Sequence, residues 1–245
     1  MNLLRAILLL IFFITPIKAN TIYNIIKIPN LEIYEINTKN KLKYFYATSP
    51  FRLGVQKNIV CSNPDKKDLD IKYKTIYKSL SIYSYDYLKK INLKYIVMCE
   101  DLSISGLYTA GIPDNIMKTL ILDIKFNEDY FERVIHHEVF HIAYLQHKEI
   151  FNDEEWIKFN TPKFEYAECS TCTKKIGLKK YDKTEGFFTE YSKSTASEDM
   201  AEVYSHMIYL KKNKINQIRK LDPILNNKIS YIENKIKQIE SSFIF

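Results

Sequence analysis

Near the middle of the chain stand His136-His137-Glu138-Val139-Phe140-His141, a segment that contains His-Glu-x-x-His. On an α-helix His137 and His141, four positions apart, leave the same face and can grip one Zn²⁺, while Glu138 lies beside the metal's open position. Bound zinc acidifies water, and a carboxylate at that place can take the proton as the water attacks an amide carbonyl. These residue types predict metal-assisted hydrolysis with Zn²⁺ as cofactor, Glu138 as general base and a protein or peptide as substrate. His136 leaves the helix in another direction and has no claim on the metal, so a structural or surface role is expected for it.

A catalytic zinc usually takes three protein ligands and keeps one position open, so a further donor is needed. His147 completes a His-x-x-x-His-x-x-x-x-x-His spacing, but that pattern needs glycine where Tyr144 stands, so that the chain can turn back to the metal. In an unbroken helix His147 points away from the His137–His141 face. Glu165 and Glu168 lie at a suitable distance downstream, beside Pro162 and the cysteines, with no helical pattern; they read as loop acids. The third candidate lies in Ser197-Glu198-Asp199-Met200-Ala201-Glu202-Val203-Tyr204. A helix there puts Glu198 and Glu202 on one side, with small Ala201 permitting close packing. One carboxylate can bind the metal while the other accepts a hydrogen bond from a ligating imidazole and fixes its ring.

The elements that must position these groups are legible from pattern. Asn127 can cap a helix over about Glu128 to Gln146, with Glu128 and Asp129 in its first turn, where the macrodipole favours acids. Apolar residues between Val134 and Leu145 point in nearly every direction, so this helix should run through the core. Two histidines and a glutamate buried there would cost several kcal/mol unless something satisfied them, and a metal does so. Thr195 or Ser197 can cap a second helix over about Ala196 to Lys211, with a capping-box spacing from Thr195 to Glu198. Asp222-Pro223 opens a last amphipathic helix striped by Ile224, Leu225, Ile229, Ile232, Ile236 and Ile239. Upstream, alternation between Thr21 and Phe51 predicts strands or a hairpin, the spacing from Lys67 to Lys90 one long helix, and Lys94–Cys99 and Thr119–Phe126 two buried strands.

With the late Glu-x-x-Ala-Glu pattern in place, the chain resembles the gluzincin-type secreted peptidases and toxins, a group to which the anthrax lethal factor catalytic domain and the clostridial Pro-Pro endopeptidases look related. The resemblance covers about Leu120 to Met207. In those families a Tyr seven residues before the ligand Glu points into the site, and Tyr191 stands seven before Glu198. The resemblance implies His137, His141 and Glu198 as zinc ligands, Glu138 as base, Tyr191 as transition-state donor and Glu202 as the carboxylate behind a ligand. It implies a zincin-like α+β fold, with a small mixed sheet packed on the active-site helix and a mainly helical C-terminal part. It also places the substrate along the strand from Thr119 to Phe126, if that strand is at the sheet edge. The chain departs from the usual pattern at Asp199, where an apolar residue is common, and in its long segment with Cys169 and Cys172.

The first nineteen residues combine an early Arg5, an apolar run from Ala6 to Ile14 and Thr15-Pro16-Ile17-Lys18-Ala19, which reads as a secretory signal cleaved after Ala19. An uncleaved anchor is the alternative. Without Arg5 and Lys18 the formal charge falls from +7 by two, to +5. The lysines are scattered, so neither nucleic-acid binding nor stable membrane association after cleavage is expected. Four cysteines suit an oxidising compartment, secreted or periplasmic, with Cys61–Cys99 and Cys169–Cys172 the favoured pairs. Residues 20–245 read as one catalytic domain. It comprises a strand-rich part with one long helix (20–126), the active-site helix (127–147), a lid or cleft wall (148–195), and the glutamate and C-terminal helices (196–245). The expectation is an exported zinc endopeptidase; the alternatives are a non-enzymatic binding protein on a zincin scaffold and a metal-dependent amidase acting on cell-wall peptides.

Overall fold

A computed structural model of the chain describes residues 22, 26–172 and 177–245; the predicted signal at 1–19 lies outside the described residues. The strands are β1 (Leu31–Glu35), β2 (Lys43–Ala47), β3 (Phe51–Leu53), β4 (Ile59–Ser62), β5 (Tyr95–Ile104), β6 (Leu107–Tyr108), β7 (Gly111–Asp114) and β8 (Thr119–Asp123). The helices are α1 (Lys66–Leu80), α2 (Tyr85–Lys90), α3 (Glu128–Gln146), α4 (Asp153–Ile157), α5 (Ala196–Tyr209), α6 (Lys212–Leu221) and α7 (Pro223–Ile239). The fold is α+β, with one small mixed sheet and a helical C-terminal part.

Strand β5 organises the sheet. Its first half pairs in parallel with β2 on one side and β8 on the other, and its second half pairs antiparallel with β4 and β6. Strand β1 closes one side against β2, and β7 closes the other against β8. Side chains alternate across β5: Ile96 and Met98 join the core under the helices, while Tyr95, Val97 and Cys99 join a second apolar layer with Phe45, Phe51 and Cys61. Both faces of β5 and β8 are therefore covered, which is why these segments read as continuous apolar runs. The Cys61–Cys99 disulfide sits in the second layer, and Cys169 pairs with Cys172.

Three expectations are corrected. Strand β8 is interior, because β7 pairs outside it; the edge is Gly111–Asp114. Pro113, which lacks an N–H, is the sequence mark of an edge strand. The single helix expected over Lys67–Lys90 divides into α1 and α2, since Ser84 caps a new helix by accepting from Tyr87 N–H at 3.1 Å. The helix expected to reach Lys211 stops at Tyr209, where Leu210 turns extended, and α6 follows. The segment 148–195 contains α4 and a 3₁₀ turn at Tyr191–Lys193.

Candidate metal centre

Helix α3 runs through the core beside β7 and α5 with the caps expected of it: Asn127 Oδ1 accepts from Asp129 N–H at 2.9 Å. Helix α5 is capped by Thr195, whose hydroxyl accepts from Glu198 N–H at 3.3 Å. Only half of a capping box forms, because the Glu198 carboxylate turns toward α3. Its Oε2 lies 2.9 Å from His137 Nε2 and 3.0 Å from His141 Nε2, and the two nitrogens are 3.1 Å apart. One ligand atom from each of His137, His141 and Glu198 falls within a 4.8 Å cluster that could hold a metal ion.

The protonation pattern of this cluster calls for a cation. His137 Nδ1 faces Glu202 Oε1 at 3.0 Å, and an ionised carboxylate only accepts, so Nδ1 carries the proton. Nε2 then aims a lone pair at another carboxylate and another imidazole. Burial opposes charge on His137, yet its hydrogen bonds to Glu198 and Glu202 and the fields of both outweigh this and lift its pKa to about 10. Burial likewise opposes charge on Glu198, and the flanking imidazoles hold its carboxyl well below the usual range. Without a metal, an extra proton must join the three acceptors; a divalent cation replaces it, and two imidazoles with one carboxylate form a donor set suited to zinc.

Glu202 is itself built in. It is fully buried, pairs with Arg133 Nη1 and accepts from Thr189 Oγ1 at 2.7 Å, while Arg133 Nη2 donates to Leu178 O at 3.1 Å. Burial works against the Glu202 charge, and Arg133 with His137 overcomes it, keeping the carboxyl below its ordinary range. Arg133 and Thr189 were missed by sequence reading. Arg133 lies four residues before His137, one turn along the same face, and that spacing is the signal that could have found it.

Glu138 is buried at the wall of the same cleft, and burial pushes its carboxyl up despite the neighbouring imidazoles. Its side chain lies flat against β7 at Gly111: a Cβ on Gly111 would stand 2.7 Å from Glu138 Cγ and 3.1 Å from Cδ. Glycine is required there by this close approach, and no motif flagged it. Tyr191 lines the cleft with its ring centroid 5.9 Å from that of His137. Burial, followed by the charges of Glu198 and Glu138, raises its phenol far above the usual value, so it keeps its proton to donate.

The rejected candidates stand elsewhere. His147 ends α3 and its Nε2 lies 3.0 Å from Lys90 O; Glu165 and Glu168 are exposed and outside the cluster. His136 is buried against Tyr83, whose hydroxyl is 2.8 Å from Nδ1, so of its two expected roles the structural one holds. Asp199, the departure from the usual pattern, is buried beside the ligand candidate in a pair with Lys228 at 2.6 Å, and accepts from Trp156 Nε1 at 2.9 Å and Tyr166 OH at 2.6 Å.

The cleft has a volume of about 440 Å³ and is lined on one side by β7 and on the other by Ser170, Thr171, Leu178 and Tyr191 of the segment expected to form a wall. Among known proteins, the family model described as "Putative zinc-binding metallo-peptidase" matches residues 71–241, which include every residue of the cluster. A solved structure titled as a putative zinc-binding metallo-peptidase from Bacteroides caccae ATCC 43185 is similar at 19% identity, over 79% of this chain and 77% of that one, with a TM-score of 0.48. No curated protein matches.

Proposed function

The chain belongs to the family of putative zinc-binding metallo-peptidases, and from that premise we propose that it is an exported zinc endopeptidase whose ligands are His137, His141 and Glu198. The observation that carries this reading is the convergence of those three donors beside Glu138 in a cleft open to an edge strand. A purely structural metal site has no need of the buried Glu138. Zinc held there would supply Lewis acidity toward water and a substrate carbonyl.

The chain's own residues do the rest. Glu138, its carboxyl raised above the ordinary value by burial, takes a proton from the attacking water and returns it to the leaving amine. Tyr191 donates its phenolic proton to the developing oxyanion, a contact of a kind worth about 2.7–4 kcal/mol. Glu202, fixed by Arg133 and Thr189, holds the His137 ring in the tautomer that leaves Nε2 free. The peptide lies extended along β7, in place of the interior β8. Export is supported by the two disulfides and by the apolar amino-terminal run; among the described residues no helix is long and apolar enough to cross a membrane.

The test is metal content by plasma mass spectrometry together with cleavage of a peptide library. Wild type should carry about one zinc and cut peptides; Glu198→Ala should lose most of the metal; Glu138→Gln should keep it and lose turnover. An active Glu138→Gln protein would refute the mechanism, and zinc-free wild type after supplementation would refute the site.

A further inference from the structure

One end of the cleft is overlooked by the hairpin that joins β5 to β6. Its two-residue turn is Ser105 and Gly106, both at positive φ (52° and 81°), the backbone that a tight twisted hairpin demands. The turn is pinned from below: Ser105 N–H donates to Asn58 O at 2.8 Å and Asn58 Nδ2 donates to Ser105 Oγ at 3.2 Å. On this fixed support Ile104, Leu107 and Tyr108 are 38%, 51% and 80% exposed, and all three line the cleft that holds His137, Glu138 and His141. Single exposed apolar side chains are ordinary, but three together on a braced hairpin at the mouth of a polar site mark a binding surface.

Two observations say what the surface binds. Among the described residues the charged side chains lining the cleft are the carboxylates Glu138, Glu198 and Glu202, with no lysine or arginine, although the chain carries a net +7. The hairpin also runs directly into β7: Tyr108 is three residues before Gly111, which abuts Glu138. At about 3.3 Å per extended residue that is at most roughly 10 Å, Ala110 lying in a bend.

Resting on the peptidase reading, we propose that Ile104, Leu107 and Tyr108 form a specificity shelf that seats an apolar or aromatic side chain of the peptide substrate, about three residues from the bond cut. The substrate class is then an extended peptide with an uncharged, apolar flank.

The experiment scans Phe, Leu, Ala, Asp and Lys through the four positions on either side of a fixed scissile pair, with zinc-loaded full chain. Wild type should prefer Phe over Ala by roughly ten- to two-hundredfold in kcat/KM at one position about three from the scissile bond. Leu107→Ser/Tyr108→Ser should bring that ratio toward one, while Ile116→Ser, an exposed apolar residue outside the cleft, should leave it as it was. An unchanged ratio in the double variant overturns the shelf, as does a dimer by size-exclusion chromatography that the double variant dissolves without altering the ratio. Binding separates this from the peptidase reading. A Phe peptide held by Glu138→Gln in fluorescence anisotropy, and released by adding the two serine substitutions, supports the shelf even where no turnover is found; equal binding by both overturns it.

Discussion

Replacing Lys228 by Met should destabilise this protein far more than an ordinary lysine substitution, and in a pH-dependent way. Lys228 and Asp199 are both fully buried and 2.6 Å apart; the ammonium also donates to Gly186 O at 2.8 Å and lies 3.9 Å from the centre of the Phe187 ring. Burial raises the Asp199 pKa and lowers that of Lys228, so each charge persists only because of the other. Met keeps the stem volume and removes the charge, leaving a carboxylate with Trp156 and Tyr166 as donors and no cation. Breaking a buried pair on one side costs about 3–5 kcal/mol. For a domain of this size each kcal/mol moves Tm by roughly 2–4 °C, so a fall of roughly 6–20 °C is expected. Calorimetry at constant zinc checks it. In Lys228→Met the native Asp199 pKa lies still further above its unfolded value, so the native state binds the extra proton and the variant recovers part of its deficit as pH falls from 7 toward 4. Asp199→Asn/Lys228→Met should unfold closer to wild type than Lys228→Met does. A Lys228→Met protein within about 2 °C of wild type at neutral pH would refute the reasoning.

Gly111→Ala should lower kcat by roughly ten- to a hundredfold with zinc content retained, since the new methyl displaces Glu138 and not a ligand; metal analysis beside steady-state kinetics reads this directly. Removing the carboxylate behind His137 in Glu202→Ala should weaken zinc affinity by roughly 10–100-fold in a competition titration with a chromophoric chelator, Arg133 being left buried without its partner. His136 and His206 are held neutral, their pKa values pushed down to about 3, by burial for both and additionally by Arg133 for His206. Because the unfolded chain binds protons more readily at these sites, stability should fall as pH drops below about 6.5, by about 1.4 kcal/mol per pH unit for each histidine; Tm measured from pH 7 to 4 tests the sign.

The helix-borne part of the centre was legible because it is local. The spacing of His137 and His141 fixes their common face, Asn127 and Thr195 announce where α3 and α5 begin, and the spacing of Glu198 and Glu202 puts both on one side of α5. The parity of β5 and β8, with Ile96, Met98, Leu120 and Leu122 on one face, follows from the two-residue period of a strand. What lay beyond the sequence was which elements are neighbours. That β7, four residues long, shields β8 and becomes the edge is decided by pairing between strands, which no periodicity encodes. Arg133 meets Glu202 across 69 positions and Lys228 meets Asp199 across 29, and Gly111 is glycine only because Glu138 arrives against it from another element. The amino-acid order alone thus determined the chemistry that α3 and α5 can carry. Only the tertiary structure decided how the two helices close on one another, because a buried charge or a missing Cβ acquires meaning from the atoms that surround it in space.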